Sequence, residues 1–283
     1  MQSYDIDIEE VEYLRHGDTP YLARVFRPRG QGPFPAVVEA HGGAWTSGAR
    51  NNNDAINRAV ASGGVVVAAL EFRNPPEATY PGSVQDVNFG IRWLKSRAAQ
   101  FSARADWVGT MGTSSGGHLA VLAALKPLDP RYRAIERPGI TADARVPYVV
   151  VLWPVICPLG RYRVWTAPEN INRASPRGGN PALSQMKYWL NEEAMAEGSA
   201  VLALERGDAV ALPHILYLQD PADPMHPAGL MEQFIRNFRA RGGTLRQRLF
   251  KGTAYDLPRS APDSPEAKAV IADIVAFIHG ETG

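Results

Sequence analysis

Trp107-Val108-Gly109-Thr110-Met111-Gly112-Thr113-Ser114-Ser115-Gly116-Gly117 is the stretch on which the fold turns. Trp107 to Met111 reads as a buried strand, and the apolar run Leu119 to Leu125 reads as a helix. Between them Ser114 stands in Gly-x-Ser-x-Gly spacing, with Gly112 and Gly116 on either side. A serine on so tight a strand-to-helix turn takes a strained backbone conformation that pushes its hydroxyl into a cleft. Side chains at the flanking positions would collide with the neighbouring strand and helix. The N-terminus of the following helix also offers unpaired N–H groups that favour negative charge. Ser114 is the candidate nucleophile; a Gly/Ser turn without chemistry is the plain alternative.

Upstream, His41-Gly42-Gly43-Ala44-Trp45 follows the short apolar strand Pro35 to Ala40. A glycine-rich loop at that point can aim the N–H groups of Gly43 and Ala44 at an oxyanion, joined by the N–H of Ser115. His41 reads as a hydrogen-bonding anchor of this loop rather than a base. Downstream, the strand His214 to Gln219 runs into Asp220-Pro221-Ala222-Asp223-Pro224-Met225-His226-Pro227. Asp223 is the candidate acid for orienting a catalytic base, whereas Asp220, nearer the strand end, reads as a turn former.

The rest of the chain keeps the same rhythm. Glu10 to Phe26 predicts two antiparallel strands around His16-Gly17-Asp18. Val65 to Phe72, Val146 to Trp153 and Leu245 to Phe250 predict further strands. Helical periodicity marks Asn53 to Ser62, Val84 to Ala98, Ala228 to Arg241 and Pro265 to Ile278. Alternating strands and helices predict an α/β fold, a mostly parallel twisted sheet with helices on both faces. Residues 158–212 break the pattern, with no convincing strand and with Tyr162, Trp165, Tyr188 and Trp189 among frequent Pro, Gly and Arg. They are expected to form a small mobile cap over a site, set into a core made of residues 1–157 and 213–283.

Composition narrows the function classes. With 30 Lys+Arg against 29 Asp+Glu, the net charge of +1 leaves no basic excess for nucleic acid or for anionic membranes. The 26 Gly and 23 Pro are spread between apolar runs and punctuate tight turns. A single cysteine, Cys157, excludes an internal disulfide and a multi-cysteine metal site, and reads as a buried inert thiol. No apolar stretch reaches the length of a membrane span and no leader-like segment opens the chain. The expectation is a soluble, cytoplasmic protein with a small-molecule partner, without metal or organic cofactor, and compatible with a homodimer.

Together these residues resemble the α/β-hydrolase superfamily, in particular its small esterases with a His-Gly-Gly loop, the hormone-sensitive-lipase-like and feruloyl/acetyl-esterase-like groups. The resemblance runs from the His41 loop through Tyr80-Pro81, Asp86, the Ser114 turn, Asp223, Phe234 and Gly242-Gly243 to Phe277-Ile278. It implies an α/β-hydrolase fold and hydrolysis of a carboxylic ester or lactone through an acyl-Ser114 intermediate. Such families carry the catalytic histidine just after the last strand. Here that stretch reads Phe250-Lys251-Gly252-Thr253-Ala254-Tyr255-Asp256-Leu257, with Tyr255 in the histidine's place. A phenol of pKa near 10 is protonated at neutral pH and makes a poor base.

Four readings follow from that departure. The chain is an engineered inactive variant, or a natural enzyme using Tyr255 as a hydrogen-bond donor or acid. Alternatively another histidine substitutes, or the fold serves as a non-catalytic small-molecule binder, as in the plant gibberellin receptors that resemble these esterases without the histidine. Among substitutes only His226 is a serious candidate, although a histidine flanked by prolines first reads as an exposed loop residue. His118 has a counterpart in many relatives and reads as packing. Trp45, Trp153 and Trp165 are candidates for a substrate pocket, and so are Tyr188 and Trp189, with core packing as the plain alternative. Arg161 and Arg163 could meet an anionic substrate group, but solvated surface arginines are the more ordinary reading.

Overall fold

The computed structural model describes residues 3–176, 178–252 and 255–282. Thr253 and Ala254, in the stretch expected to stand in place of a histidine loop, lie outside the described residues. The chain opens with a hairpin, β1 (Ile6–His16) and β2 (Thr19–Pro28), closed by Gly17 at φ +56°. Then follow β3 (Phe34–Ala40), helix α1 (Asp54–Ser62), β4 (Val66–Leu70), α2 (Gly82–Arg97), β5 (Ala103–Thr113), α3 (Ser114–Leu125) and β6 (Tyr148–Leu152). Four short helices come next: α4 (Pro158–Thr166), α5 (Pro181–Trp189), α6 (Glu192–Glu197) and α7 (Ala200–Glu205). The chain ends with β7 (His214–Gln219), α8 (Ala228–Ala240), β8 (Leu245–Leu249), the single turn α9 (Leu257–Ser260) and α10 (Pro265–Gly280).

One eight-stranded sheet runs in the order β1-β2-β4-β3-β5-β6-β7-β8. The β1–β2 and β2–β4 pairs are antiparallel, and every later pair is parallel. Its central strands β3, β4 and β6 are buried at every position, as expected of a sheet covered on both faces. This is the predicted α/β arrangement, with β5 longer than the apolar run suggested because it includes the polar Ala103–Asp106 stretch.

The topology decides where chemistry can sit. The loops after β3, β5 and β7 leave the carboxyl ends of parallel strands, the edge at which open α/β sheets hold ligands. Residues 158–212 form no strand among those described and supply one wall above that edge. Much of this segment is packed rather than loose. Tyr188 and Trp189 are buried in the same apolar cluster as Trp45, with the Trp45 and Tyr188 rings stacked at 5.9 Å.

Candidate active site

Ser114 caps β5 at φ +51°, a left-handed conformation that a serine adopts only where its surroundings impose it. The flanking glycines show what imposes it. A Cβ on Gly112 would stand 2.5 Å from the Gly116 carbonyl oxygen, and one on Gly116 only 2.0 Å from that of Ala40. The elbow is therefore wedged against β3, which brings the next loop to it. A Cβ on Gly42 would lie 3.2 Å from the Ser114 Cβ.

That loop turns through Gly43 (φ +139°), Ala44 (φ +53°) and Trp45 (φ +59°). Two successive non-glycine residues in the left-handed region are costly, and the aromatic packing of Trp45 holds them there. Its indole is 1% exposed, lies edge-on to Trp189 at 5.3 Å, and donates from Nε1 to His118 Nδ1 at 3.3 Å. Among the described residues the Gly43 and Ala44 N–H groups are given to no acceptor, so both are free to receive one. His41 is stacked on Phe72 at 4.2 Å, its Nδ1 2.8 Å from the Gly42 carbonyl oxygen, and burial lowers its pKa. It anchors the loop as a neutral ring.

The hydroxyl of Ser114 meets a histidine after all. Ser114 Oγ lies 3.1 Å from His226 Nε2, and His226 Nδ1 lies 2.7 Å from Asp223 Oδ2. An ionised carboxylate only accepts, so the proton belongs on Nδ1 and leaves Nε2 as an acceptor for the serine proton. Asp223 Oδ1 accepts further from the N–H groups of Met225 (2.7 Å) and His226 (3.2 Å). Gln219 donates to the His226 carbonyl oxygen at 2.8 Å. Asp220 serves the turn, accepting from Ala222 N–H and, through its carbonyl, from Asp223 N–H.

Two expectations are corrected here. His226 is not an exposed loop residue but 3% exposed, and the contact to Ser114 belongs to it rather than to Tyr255. The prolines misled: Asp220, Asp223 and His226 each precede one, and a residue before proline is held to extended backbone conformations. They stiffen the loop that carries Asp223 and His226 together. Tyr255 is buried beside this pair, its ring 5.8 Å from that of His226 and edge-on to Trp153.

A cavity of about 400 Å³ opens over Ser114. It is lined by Gly43 and Ala44, by Met225 and Tyr255, by Arg161, and by Gly178 to Pro181 with Leu183 and Ser184. Trp45, Trp153 and Trp165, the expected pocket aromatics, do not line it; each is at most 2% exposed in the core. His118 is likewise internal, donating from Nε2 to the Gly198 carbonyl, with burial pulling its pKa down to about 4. Arg163 is on the surface and paired with Glu192, but Arg161 is 2% exposed, against the expectation of a solvated side chain. Cys157 is buried and accepts from Gly160 N–H and Ser199 Oγ.

The eight-stranded sheet, the serine elbow and the loop after β3 give the chain an α/β-hydrolase fold. Residues 25–156, which hold the loop and Ser114 but end before Asp223, match the BD-FAE family model. The chain is similar to the probable carboxylic ester hydrolase LipM of Mycobacterium tuberculosis, 30% identical over 61% of this chain and 43% of that protein. It is also similar to the probable isoprenylcysteine alpha-carbonyl methylesterase ICMEL1 of Oryza sativa subsp. japonica, 24% identical over 87% of this chain and 57% of that one. The chain thus spans about half the length of these curated relatives. In fold it resembles a Pyrobaculum calidifontis esterase, with a TM-score of 0.77, 23% identity, and 99% and 87% of the two chains covered. Esterase B from Lactobacillus rhamnosis superposes with a TM-score of 0.79 at 20% identity, over 98% and 88%. Among the described residues no helix is long and apolar enough to cross a membrane.

Proposed function

We propose that this chain hydrolyses carboxylic esters through an acyl-Ser114 intermediate, with His226 as general base and Asp223 as its orienting acid. The observation that carries the reading is the continuous hydrogen-bonded line from Ser114 Oγ through both His226 nitrogens to Asp223. The order of events follows from it. As Ser114 Oγ attacks the ester carbonyl, its proton passes to His226 Nε2, and the imidazolium is stabilised by Asp223. The carbonyl oxygen becomes an oxyanion, for which the N–H groups of Gly43, Ala44 and Ser115 are the proposed donors. Nε2 then protonates the departing alkoxide, and a water deprotonated by the same nitrogen releases the acid.

The similarity to carboxylic ester hydrolases supports the reaction class. An assembled base on the nucleophile also weighs against a crippled enzyme or a pure binding protein, since neither needs one. Tyr255, lining the cavity next to the base, is then a wall residue rather than the proton acceptor.

The test is p-nitrophenyl ester turnover by single variants. His226→Ala is expected to lower kcat by about 10³-fold or more, as removal of a triad member does. Tyr255→Phe is expected to stay within about 10-fold of the parent, because its loss leaves the proton path whole. A His226→Ala protein that keeps its rate while Tyr255→Phe loses it would reverse the assignment.

A further inference from the structure

Arg161 stands where a cation is hard to explain by packing. It sits on α4, 2% exposed, and its pKa is drawn down by burial to about 10, so it remains charged at neutral pH. Its Nε donates to Gln185 Oε1 at 3.1 Å, and its guanidinium lies 5.6 Å over the Trp45 ring. Nη2, however, has no hydrogen-bond partner, and among the described residues no carboxylate forms an ion pair with it. Asp223, whose charge it feels, has its own oxygens taken up by His226 and two backbone N–H groups. Removing a charge from water without a directly hydrogen-bonded counter-charge is unfavourable, so such a group points to an anion supplied from outside.

The cavity says which anion it can be. Arg161 lines the same 400 Å³ space as Ser114, and among the described lining residues it is the one charged side chain. The others are small, polar or apolar: Ser175, Ser184, Asn180, Leu183 and Met225 among them. The volume suits a small molecule that reaches both groups at once.

We propose that Arg161 is a specificity residue for esters whose acyl or alcohol half carries a carboxylate, a reading that rests on the ester-hydrolase assignment above. The guanidinium binds the carboxylate and places the scissile carbonyl against Ser114, so part of its effect falls on orientation.

Two substrate pairs locate the anion. Mono-p-nitrophenyl glutarate against p-nitrophenyl pentanoate puts it in the acyl half, and para-butanoyloxybenzoate against phenyl butanoate puts it in the alcohol half. The protein is expected to favour the anionic member of one pair by about 10–100-fold in kcat/KM, the size of a charge-assisted hydrogen bond. Arg161→Gln should cut that ratio by a similar factor, and Arg161→Lys should restore part of it. Free glutarate should compete with the favoured ester and raise the Tm of the parent protein. Those two readouts decide the matter even where a variant folds poorly. If neutral esters are turned over as well as anionic ones and glutarate has no effect, the guanidinium is a packing element and the proposal falls, with the hydrolase reading intact. If no ester is turned over yet glutarate raises Tm in an Arg161-dependent way, the hydrolase reading falls and the anion site stands.

Discussion

Thr113 ties two halves of the site together through one hydroxyl. Its Oγ1 accepts from Gly42 N–H at 3.1 Å and from Asn53 Nδ2 at 3.0 Å, and Asn53 Nδ2 also reaches Glu39 Oε1 at 2.8 Å. The residue just before Ser114, the proposed nucleophile, thereby fixes the loop that faces it. Thr113→Val keeps the shape but leaves the Gly42 N–H without its acceptor and Asn53 Nδ2 with Glu39 alone, which costs about 1–3 kcal/mol for the unpaired buried donor. We expect a lower unfolding midpoint together with a kcat/KM reduced by about 10-fold or more, since a displaced oxyanion loop weakens transition-state binding. Steady-state kinetics beside thermal unfolding separates the two effects. A variant that loses stability but keeps kcat/KM would show that the loop holds its place without this bond.

The loop between β7 and α8 is the element on which the proposed chemistry rests, because Asp223 and His226 both belong to it. Its prolines limit the backbone of the residues that matter, so its stiffness is written into the sequence. Pro224→Ala should cost only about 0.4–1 kcal/mol of stability, through a freer unfolded chain. It should lower kcat further than that figure implies, by several-fold to about 100-fold, because small displacements of a base are expensive. A full kcat in this variant would mean that the hydrogen bonds to Asp223 alone suffice to hold the loop. The same element explains how far the sequence could be read. Strands and helices were legible from periodicity, and Ser114 from glycines that the turn cannot do without. His226 is hard to single out from sequence because a histidine in an aperiodic loop is placed by that loop's conformation, not by a pattern. The one local signal was its position three residues after Asp223. The burial of Arg161 is not legible in the sequence because it comes from α4 packing on α5, a contact between segments that periodicity does not report.

For the molecule as a whole, the buried carboxyl of Glu39 bears on stability. Burial, partly offset by hydrogen bonds from Asn53 and Asn57, raises its pKa to about 7 from an ordinary 4.5. In the folded state it binds its proton more tightly than in the unfolded chain. Stability is therefore greatest below about pH 4.5 for this group and declines as pH rises to about 7, by an amount on the order of 1–3 kcal/mol. Glu39→Gln, which stays neutral, should match the parent near pH 5 and exceed it near pH 8 in urea unfolding. An equal difference at both pH values would contradict the raised pKa. The arrangement of the triad has a wider consequence for how such a protein can change. In the proposed mechanism acid and base share one short segment and no described residue after β8 takes part in proton transfer, so exchanges there are expected to reshape what enters the cavity without disarming it. The segment from Asp220 to Pro227 becomes a portable module, a candidate for grafting onto any relative whose own histidine loop one wishes to redesign.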